Sequence, residues 1–166
     1  MSAPNRLQRS LARLGFLPGP LRRVARNLVL RNAVPLTGTA GLDFRALTSE
    51  RSEIFIANKR PVRNHIGGVH AAAMTLVAET ATGMVVGMNV RDDCLPLCKG
   101  LRVRFRKRST GGLTAVAELT PEQRDLMAAN TKGDVNVAVT VTDEAGEQPI
   151  ECEFVWAWVP KEKTRP

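Results

Sequence analysis

The sequence predicts an α+β domain in which an antiparallel β-sheet wraps around one long buried helix. Two observations predict this class. Residues 71–81 are rich in alanine and carry a single formal charge, which is typical of a buried helix. Apolar and polar residues then alternate with period two over much of residues 101–159, as they do in antiparallel strands that bury one face. The 166 residues suffice for one such domain with its own core.

Residues 1–40 form a predicted basic helical extension. Leucines recur at helical spacing over residues 7–14, and the Gly- and Pro-rich residues 15–20 end that helix. A second short helix over residues 21–32 stops before Pro35. The extension contains no acidic residue and seven arginines: Arg6, Arg9, Arg13, Arg22, Arg23, Arg26 and Arg31. Since the chain has 24 basic and 16 acidic residues, the remaining 17 basic residues nearly balance the acids.

Two interpretations of this extension stay open. Its arginines could make peripheral contact with anionic lipid or bind nucleic acid, or the segment could resemble an organellar transit peptide. Alternatively, two short helices pack on the domain through apolar residues and leave the arginines solvated. A nucleic-acid partner is not expected, because aromatic residues are 4% of the chain, tyrosine is absent and no stacking platform is evident.

The predicted domain spans residues 41–160. Leu42 and Phe44, and then the apolar residues 54–56, predict two strands around a polar turn at residues 48–52. A polar, Gly-rich turn at residues 63–70 then leads into the buried helix, which Gly83 is expected to end. Glu79 is the only formal charge on that helix.

Four alternating segments follow the helix and predict an antiparallel meander of four or five strands. They occupy residues 101–106, 113–119, 135–142 and 150–159, and residues 161–166 form a polar tail. Trp156 and Trp158 lie on one face of the last strand, where packing in a core or an interface is expected.

Other classes of protein are excluded by the composition. No run approaches the 18 or so apolar residues of a spanning helix, so a membrane-embedded protein is not expected. The three cysteines, with no secretory signal before them, favour a reduced cytoplasmic location. Cys94 and Cys98 are spaced neither as a redox pair nor as a zinc half-site, and only two histidines exist, so no metal is expected.

A short motif precedes and enters the predicted helix. Asn64, Gly67 and His70 form an Asn-x-x-Gly-x-x-His pattern, and Glu79 follows nine residues after His70. This motif resembles that of hot-dog thioesterases of the phenylacetyl-CoA and 4-hydroxybenzoyl-CoA type, and the strand order resembles that family more loosely over residues 42–159. The resemblance implies a hot-dog fold and a homodimer or dimer of dimers. It also implies hydrolysis of acyl-CoA or acyl-carrier-protein thioesters, with coenzyme A entering only as substrate and no cofactor.

The resemblance also assigns roles to residues. In the family, the backbone amide of the residue after the histidine donates to the thioester carbonyl. In this sequence that residue is Ala71. Glu79 corresponds to the general base or nucleophile, and Asn64 to the residue that positions water or the acyl group. His65, Gly67 and His70 belong to the turn that contacts the substrate.

Helix geometry requires that such a site be shared between two chains. The first amides of a helix lack intrahelical acceptors and lie at its positive end, so the amide of Ala71 can receive an oxyanion. Glu79 lies eight residues further along, which is about 12 Å at 1.5 Å per residue. It therefore cannot reach an oxyanion at its own helix start and must serve that of another protomer.

Simpler interpretations of these residues also stay open. Asn64 and His65 could cap a helix and satisfy a turn, His70 could be structural, and Glu79 could pair with an arginine. Ala71 and Ala72 occupy the two positions at which the family has glycine. In this respect the sequence resembles a divergent branch of the superfamily whose function is unknown. The methyl groups of these alanines favour a second function, a non-catalytic module that binds acyl thioesters or mediates dimerisation.

A row of basic side chains follows one predicted strand: Arg102, Arg104 and Arg106, with Lys107 alongside and Arg108 beyond. Like charges aligned in this way repel one another, and the phosphates of coenzyme A would relieve that repulsion. The alternative is an exposed face balanced by glutamates on neighbouring strands: Glu118, Glu151 and Glu153.

Overall fold

The computed structural model describes residues 3–162. Within this range the helices are α1 (Arg6–Ala12), α2 (Gly19–Ala33), α3 (Pro35–Thr39), α4 (Ala71–Gly87) and α5 (Pro121–Ala129), with one 3-10 turn (Arg60–Val62). The strands are β1 (Asp43–Leu47), β2 (Arg51–Ile56), β3 (Cys94–Phe105), β4 (Leu113–Glu118), β5 (Gly133–Asp143) and β6 (Ile150–Pro160). Most of the predicted polar tail, residues 163–166, lies outside the described residues.

The six strands form one sheet in the order β1-β2-β4-β5-β6-β3, and every neighbouring pair is antiparallel. Helix α4 packs against this sheet, and Val77, Ala78, Ala81 and Val85 on the helix are fully buried. Alternate residues of the strands face it, because successive side chains of a strand point to opposite faces. The predicted α+β architecture is therefore confirmed.

Helix α4 differs from its prediction in length and burial. It continues through Gly83 to Gly87, so the prediction that Gly83 ends the helix is wrong. A Cβ at Gly83 would lie 2.7 Å from a ring carbon of Trp156, so close packing with this ring explains the glycine. The helix is also not buried all round, since Ala72 is exposed and Leu76 and Glu79 are half-buried.

Two helices were not expected from the sequence. Helix α5 follows β4 and begins with a capping box, in which the Thr120 hydroxyl accepts from the Gln123 amide and the Gln123 side chain accepts from the Thr120 amide. Helix α3 begins at Pro35, because a proline that ends one helix is also well suited to the first position of the next.

Side-chain hydrogen bonds connect the N-terminal helices α1 and α2 to α4 and to the sheet. Asn5 donates from its side chain to the carbonyls of Gly87 and Val90, both at 2.8 Å, which ties α1 to the end of α4. Asn27 of α2 donates to Asp43 at 2.8 Å and accepts from the Phe44 amide at 2.8 Å. These contacts hold α1 and α2 against the domain by polar groups.

The two tryptophans lie in the core, as expected. Trp156 and Trp158 are 7% and 0% exposed, and both indole nitrogens are satisfied. They donate to the Thr82 hydroxyl at 2.9 Å and to the Asn130 carbonyl at 3.0 Å. No helix in the described part of the chain has the length and apolar character needed to cross a membrane.

Candidate active site

The start of helix α4 leaves one amide free. His70 is the N-cap residue, and its Nδ1 accepts from the Ala72 amide at 3.0 Å. Its carbonyl accepts from the amides of Ala73 and Met74, at 2.8 and 2.9 Å. The amide of Ala71 donates to no acceptor among residues 3–162, and Ala71 itself is exposed. The chain therefore presents a single unpaired donor at the positive end of its longest helix.

Asn64 and Gly67 shape the turn that precedes this helix. The Asn64 side-chain oxygen accepts from the amides of Ile66 and Gly68, at 3.1 and 3.0 Å. Gly67 has φ of +82°, a left-handed conformation that glycine adopts without strain. Asn64 thus acts as a turn residue through its oxygen, which leaves its NH₂ group as the part that could contact a ligand. His65 is exposed at the tip of the turn.

Ser109 is a candidate that the sequence did not reveal. Its hydroxyl is buried and has no hydrogen-bond partner among the described residues. It lies beside Gly68, as does the side-chain nitrogen of Asn64. Only the folding of the loop after β3 against this turn brings the two together, so no local pattern in the sequence could have indicated it.

Glu79 lies half-buried on α4 and lines an apolar cavity. Within residues 3–162 its carboxylate makes no ion pair, so the structure lacks the arginine partner of the simpler interpretation. Burial raises the pKa of the Glu79 carboxyl, and the Thr80 side chain opposes this in part. The cavity has a volume of about 220 Å³, and its other lining residues include Leu30, Val34, Phe44, Met84 and Trp156. A carboxyl with a raised pKa at an apolar cavity is suited to proton transfer.

The free amide and the carboxylate lie on one helix but not in one site. Ala71 is the first residue of α4, and Glu79 follows two turns later, about 12 Å along the axis. Ala72, Leu76 and Glu79 share one helix face with Gly83, and this strip is less buried than the rest of α4. The strip is therefore the part of the helix that remains open to another chain.

The basic row on β3 is accompanied by glutamates of β6. Arg102 and Arg104 lie opposite Glu153 and Glu151 in the strand register. The ion pairs are Arg102–Glu153 at 3.8 Å, Arg106–Glu151 at 2.6 Å and Lys107–Glu147. Glu118 contacts Arg51 instead, at 3.7 Å. The charges of several of these basic residues are thus balanced by glutamates. This is the arrangement that the sequence analysis gave as the alternative to phosphate binding.

The structure contains no cluster of three or more potential metal ligands in the region it describes. The thiols of Cys94, Cys98 and Cys152 are free, and burial raises the pKa of the Cys152 thiol to about 11. A protonated buried thiol is a poor nucleophile, so Cys152 is not a candidate for catalysis.

A family model described as a domain of unknown function, DUF4442, matches residues 23–159. The chain belongs to the DUF4442 family. The match extends from α2 to the end of β6, so it includes every candidate residue of the site and omits α1. The comparison with curated proteins found no match.

Solved structures share the fold of this DUF4442 chain at low sequence identity. A Pseudomonas aeruginosa protein described as a probable thioesterase has 21% identity and a TM-score of 0.74, over 87% of this chain and 97% of that one. A Haemophilus influenzae thioesterase has 10% identity and a TM-score of 0.64, over 79% and 87%. A mutant thioesterase of Staphylococcus aureus has 15% identity and a TM-score of 0.66, over 76% and 100%. The predicted hot-dog fold is confirmed.

Proposed function

We propose that this chain hydrolyses an acyl thioester of coenzyme A or of acyl-carrier protein, at a composite site in a homodimer. The observation that carries the proposal is the arrangement on α4. Among residues 3–162 the Ala71 amide has no acceptor and the Glu79 carboxyl has no ion pair, and the two groups lie about 12 Å apart along the helix. A donor for an oxyanion and a base for water are the two groups that thioester hydrolysis needs. The thioesterases among the structural neighbours support the same chemistry.

The reaction follows from these two groups. The Ala71 amide of one protomer donates to the thioester carbonyl oxygen and stabilises the charge that develops there. Glu79 of the other protomer removes a proton from water, whose oxygen bonds to the carbonyl carbon. The tetrahedral intermediate then expels the thiolate, which takes the proton from Glu79, leaving a carboxylic acid and a thiol. If the Glu79 oxygen attacks instead, the resulting anhydride is hydrolysed by water to the same products.

The edge of the sheet supports the dimer. Leu101 and Phe105 of β3 lie opposite Phe154 and Ile150, whose side chains are buried on the side of the sheet that faces α4. Leu101 and Phe105 point the same way but are 53% and 54% exposed, because β3 is the edge strand of the sheet that residues 3–162 form. An apolar edge strand is a surface on which a second copy can pair. A dimer of dimers would keep the same site.

Substrate binding divides between apolar and polar surfaces. The cavity of about 220 Å³ beside Glu79 receives the apolar acyl group, because its lining residues are almost all apolar. The turn of Asn64, His65 and Gly67 lies next to the free amide and positions the thioester. Arg102, Arg104, Arg106 and Lys107 bind the coenzyme A phosphates in competition with the glutamates beside them.

The decisive experiment measures thiol release from a panel of short, long and aromatic acyl-CoA substrates. We expect the wild type to release thiol from at least one of them and Glu79→Gln to lose this activity. Glu122→Gln is the matched control, since Glu122 is an exposed glutamate on α5, outside the site. Undiminished thiol release by Glu79→Gln would exclude Glu79 from the mechanism.

A second function is favoured by one specific observation. Ala72 lines a cavity of about 280 Å³ at the helix start, together with His70 and Leu76. Its methyl group, like that of Ala71, narrows the approach to the amide where thioesterases of the resembling type have glycine. A hot-dog module that binds acyl thioesters without cleaving them would fit this geometry. Binding of acyl-CoA by calorimetry, without any thiol release, would identify it.

A further inference from the structure

Four polar residues of helix α2 are directed toward the domain. Arg23 donates to Asp43 at 2.9 Å, and Asn27 bonds both Asp43 and the Phe44 amide. Arg26 and Arg31 donate to the carbonyls of Arg45 and Leu42, both at 2.7 Å. Leu30 is the only buried residue of this helix. The side of α2 that contacts β1 is therefore largely polar.

The opposite side of α2 is apolar and exposed. Leu21, Val24 and Leu28 are spaced by three and four residues, which places them on one helix face, and they are 57%, 55% and 65% exposed. Val29 beside them is half exposed, and Phe16 in the preceding turn is 83% exposed. A helix on a water-exposed surface normally has the reverse arrangement. We call Phe16, Leu21, Val24, Leu28 and Val29 the α2 apolar face.

Charge indicates what covers this face. The first 42 residues contain no acid, and the first acid, Asp43, already pairs with Arg23. Arg13 and Arg22 lie exposed near Phe16, and neither forms an ion pair with a carboxylate in the described part of the chain. Two copies that met through this face would bring arginines against arginines. An anionic surface with an apolar interior would instead neutralise the arginines and bury the leucines.

We propose that α2 lies flat on an anionic lipid membrane, with the α2 apolar face inserted between lipids and the nearby arginines at the headgroups. The helix of 15 residues is about 22 Å long, which suits a helix in the plane of the interface. It packs on β1, at the opposite end of the strand order from β3, so a dimer through β3 leaves it available. The proposal does not rest on thioester hydrolysis and is tested separately from it.

The test is co-sedimentation of the full chain with vesicles of phosphatidylcholine alone and of phosphatidylcholine mixed with phosphatidylserine. We expect the protein to pellet with the mixed vesicles, to stay in solution with phosphatidylcholine alone, and to be released by raised ionic strength. The double variant Leu21→Gln, Leu28→Gln is expected to stay in solution. Leu126→Gln, at an exposed leucine of α5, is the matched control and is expected to pellet as the wild type does.

Thermal melting of the double variant checks its fold, which should be unchanged because both leucines are exposed. Sedimentation of the double variant with the mixed vesicles would overturn the proposal. So would a wild-type protein that stays in solution with both kinds of vesicle. Size-exclusion chromatography tests the alternative that a second copy of the chain covers the α2 apolar face. If the double variant forms a smaller assembly than the wild type, α2 joins copies of the chain and the membrane proposal is wrong.

Discussion

Subunit complementation between two inactive variants tests the composite site most directly. Ala71→Pro removes the one free amide donor at the start of α4. Proline suits this place, because the first position of a helix needs no amide partner and its ring fixes a helical φ. The preceding residue, His70, has φ of −64° and ψ of 144°, values that a residue before proline adopts readily. The variant is therefore expected to fold normally.

The magnitude follows from the loss of one donor. Removing one oxyanion donor lowers kcat by a factor of about 10² to 10³, and Glu79→Gln is expected to remove the base entirely. When the two variants are coexpressed and assort at random, about half of the dimers are mixed. Each mixed dimer combines the intact amide of one chain with the intact Glu79 of the other in one of its two sites. Recovery of about a quarter of the wild-type rate is therefore expected.

The assay is the initial rate of thiol release at saturating acyl-CoA, with differently tagged chains so that mixed dimers can be isolated. The control replaces the Glu79→Gln chain by one that carries both substitutions, which should restore nothing. If the mixture of single variants shows no more activity than the separate proteins, the amide and the carboxylate do not act across two chains and the reasoning fails.

Four further predictions concern pH and stability. Because burial raises the pKa of Glu79, kcat/KM should fall on the acid side at a higher pH than an exposed glutamate would give. The buried negative charge opposes folding above that pKa. Glu79→Gln should therefore be no less stable than the wild type at neutral pH. Gly83→Ala should lower the free energy of unfolding by a net value of about 1 kcal/mol in urea titrations, since crowding against Trp156 exceeds the gain in helix propensity. His70→Ala should cost about 1 kcal/mol in the same measurement through loss of the helix cap.

The Glu79 pH prediction has an outcome that would contradict it, and the predictions at Gly83 and His70 each have a control in the same helix or at the same residue. A pH profile for Glu79 that matches an exposed glutamate would contradict the desolvation argument. Gly87→Ala, whose new methyl group meets only Leu7 at 3.5 Å, should be neutral or stabilising, so equal losses at Gly83 and Gly87 would contradict crowding by Trp156. His70→Asn should keep most of the stability, because asparagine caps helices well.

Periodicity alone predicted most of the sheet. Alternation at Val135 and Val137, and at Phe154 and Trp156, corresponds to side chains that are buried against α4. The central helix and the strands along the chain were predicted for the same reason, that each element must bury one apolar face. The predicted meander is wrong at β3, which pairs with β6 at the edge of the sheet while β4 pairs with β2 and β5. Sequence reasoning failed where a distant residue decides, as at Gly83, whose packing against Trp156 overrides the usual meaning of a glycine near a helix end.

Helix α5 could have been predicted from the sequence. Thr120, Pro121 and Gln123 form a typical helix start, but no long apolar periodicity follows them, so periodicity alone does not indicate this helix. The site divides in the same way. The spacing of Ala71 and Glu79 is a property of one helix and can be read from the sequence, whereas the position of Ser109 beside Gly68 depends on the tertiary fold.

The buried helix α4 has a mechanical consequence. In the dimer proposed above, it would carry the donor for one site and the base for the other, and the carbonyl of Gly87 at its C-terminal end accepts from the Asn5 side chain. Because both groups belong to one rigid helix, a shift of the helix along its axis displaces the donor of one proposed site and the base of the other by the same distance. In the proposed dimer, a shift of one α4 helix that changes the geometry of one active site would therefore also change that of the other. Equal turnover rates in the two sites would require both helices to keep their positions.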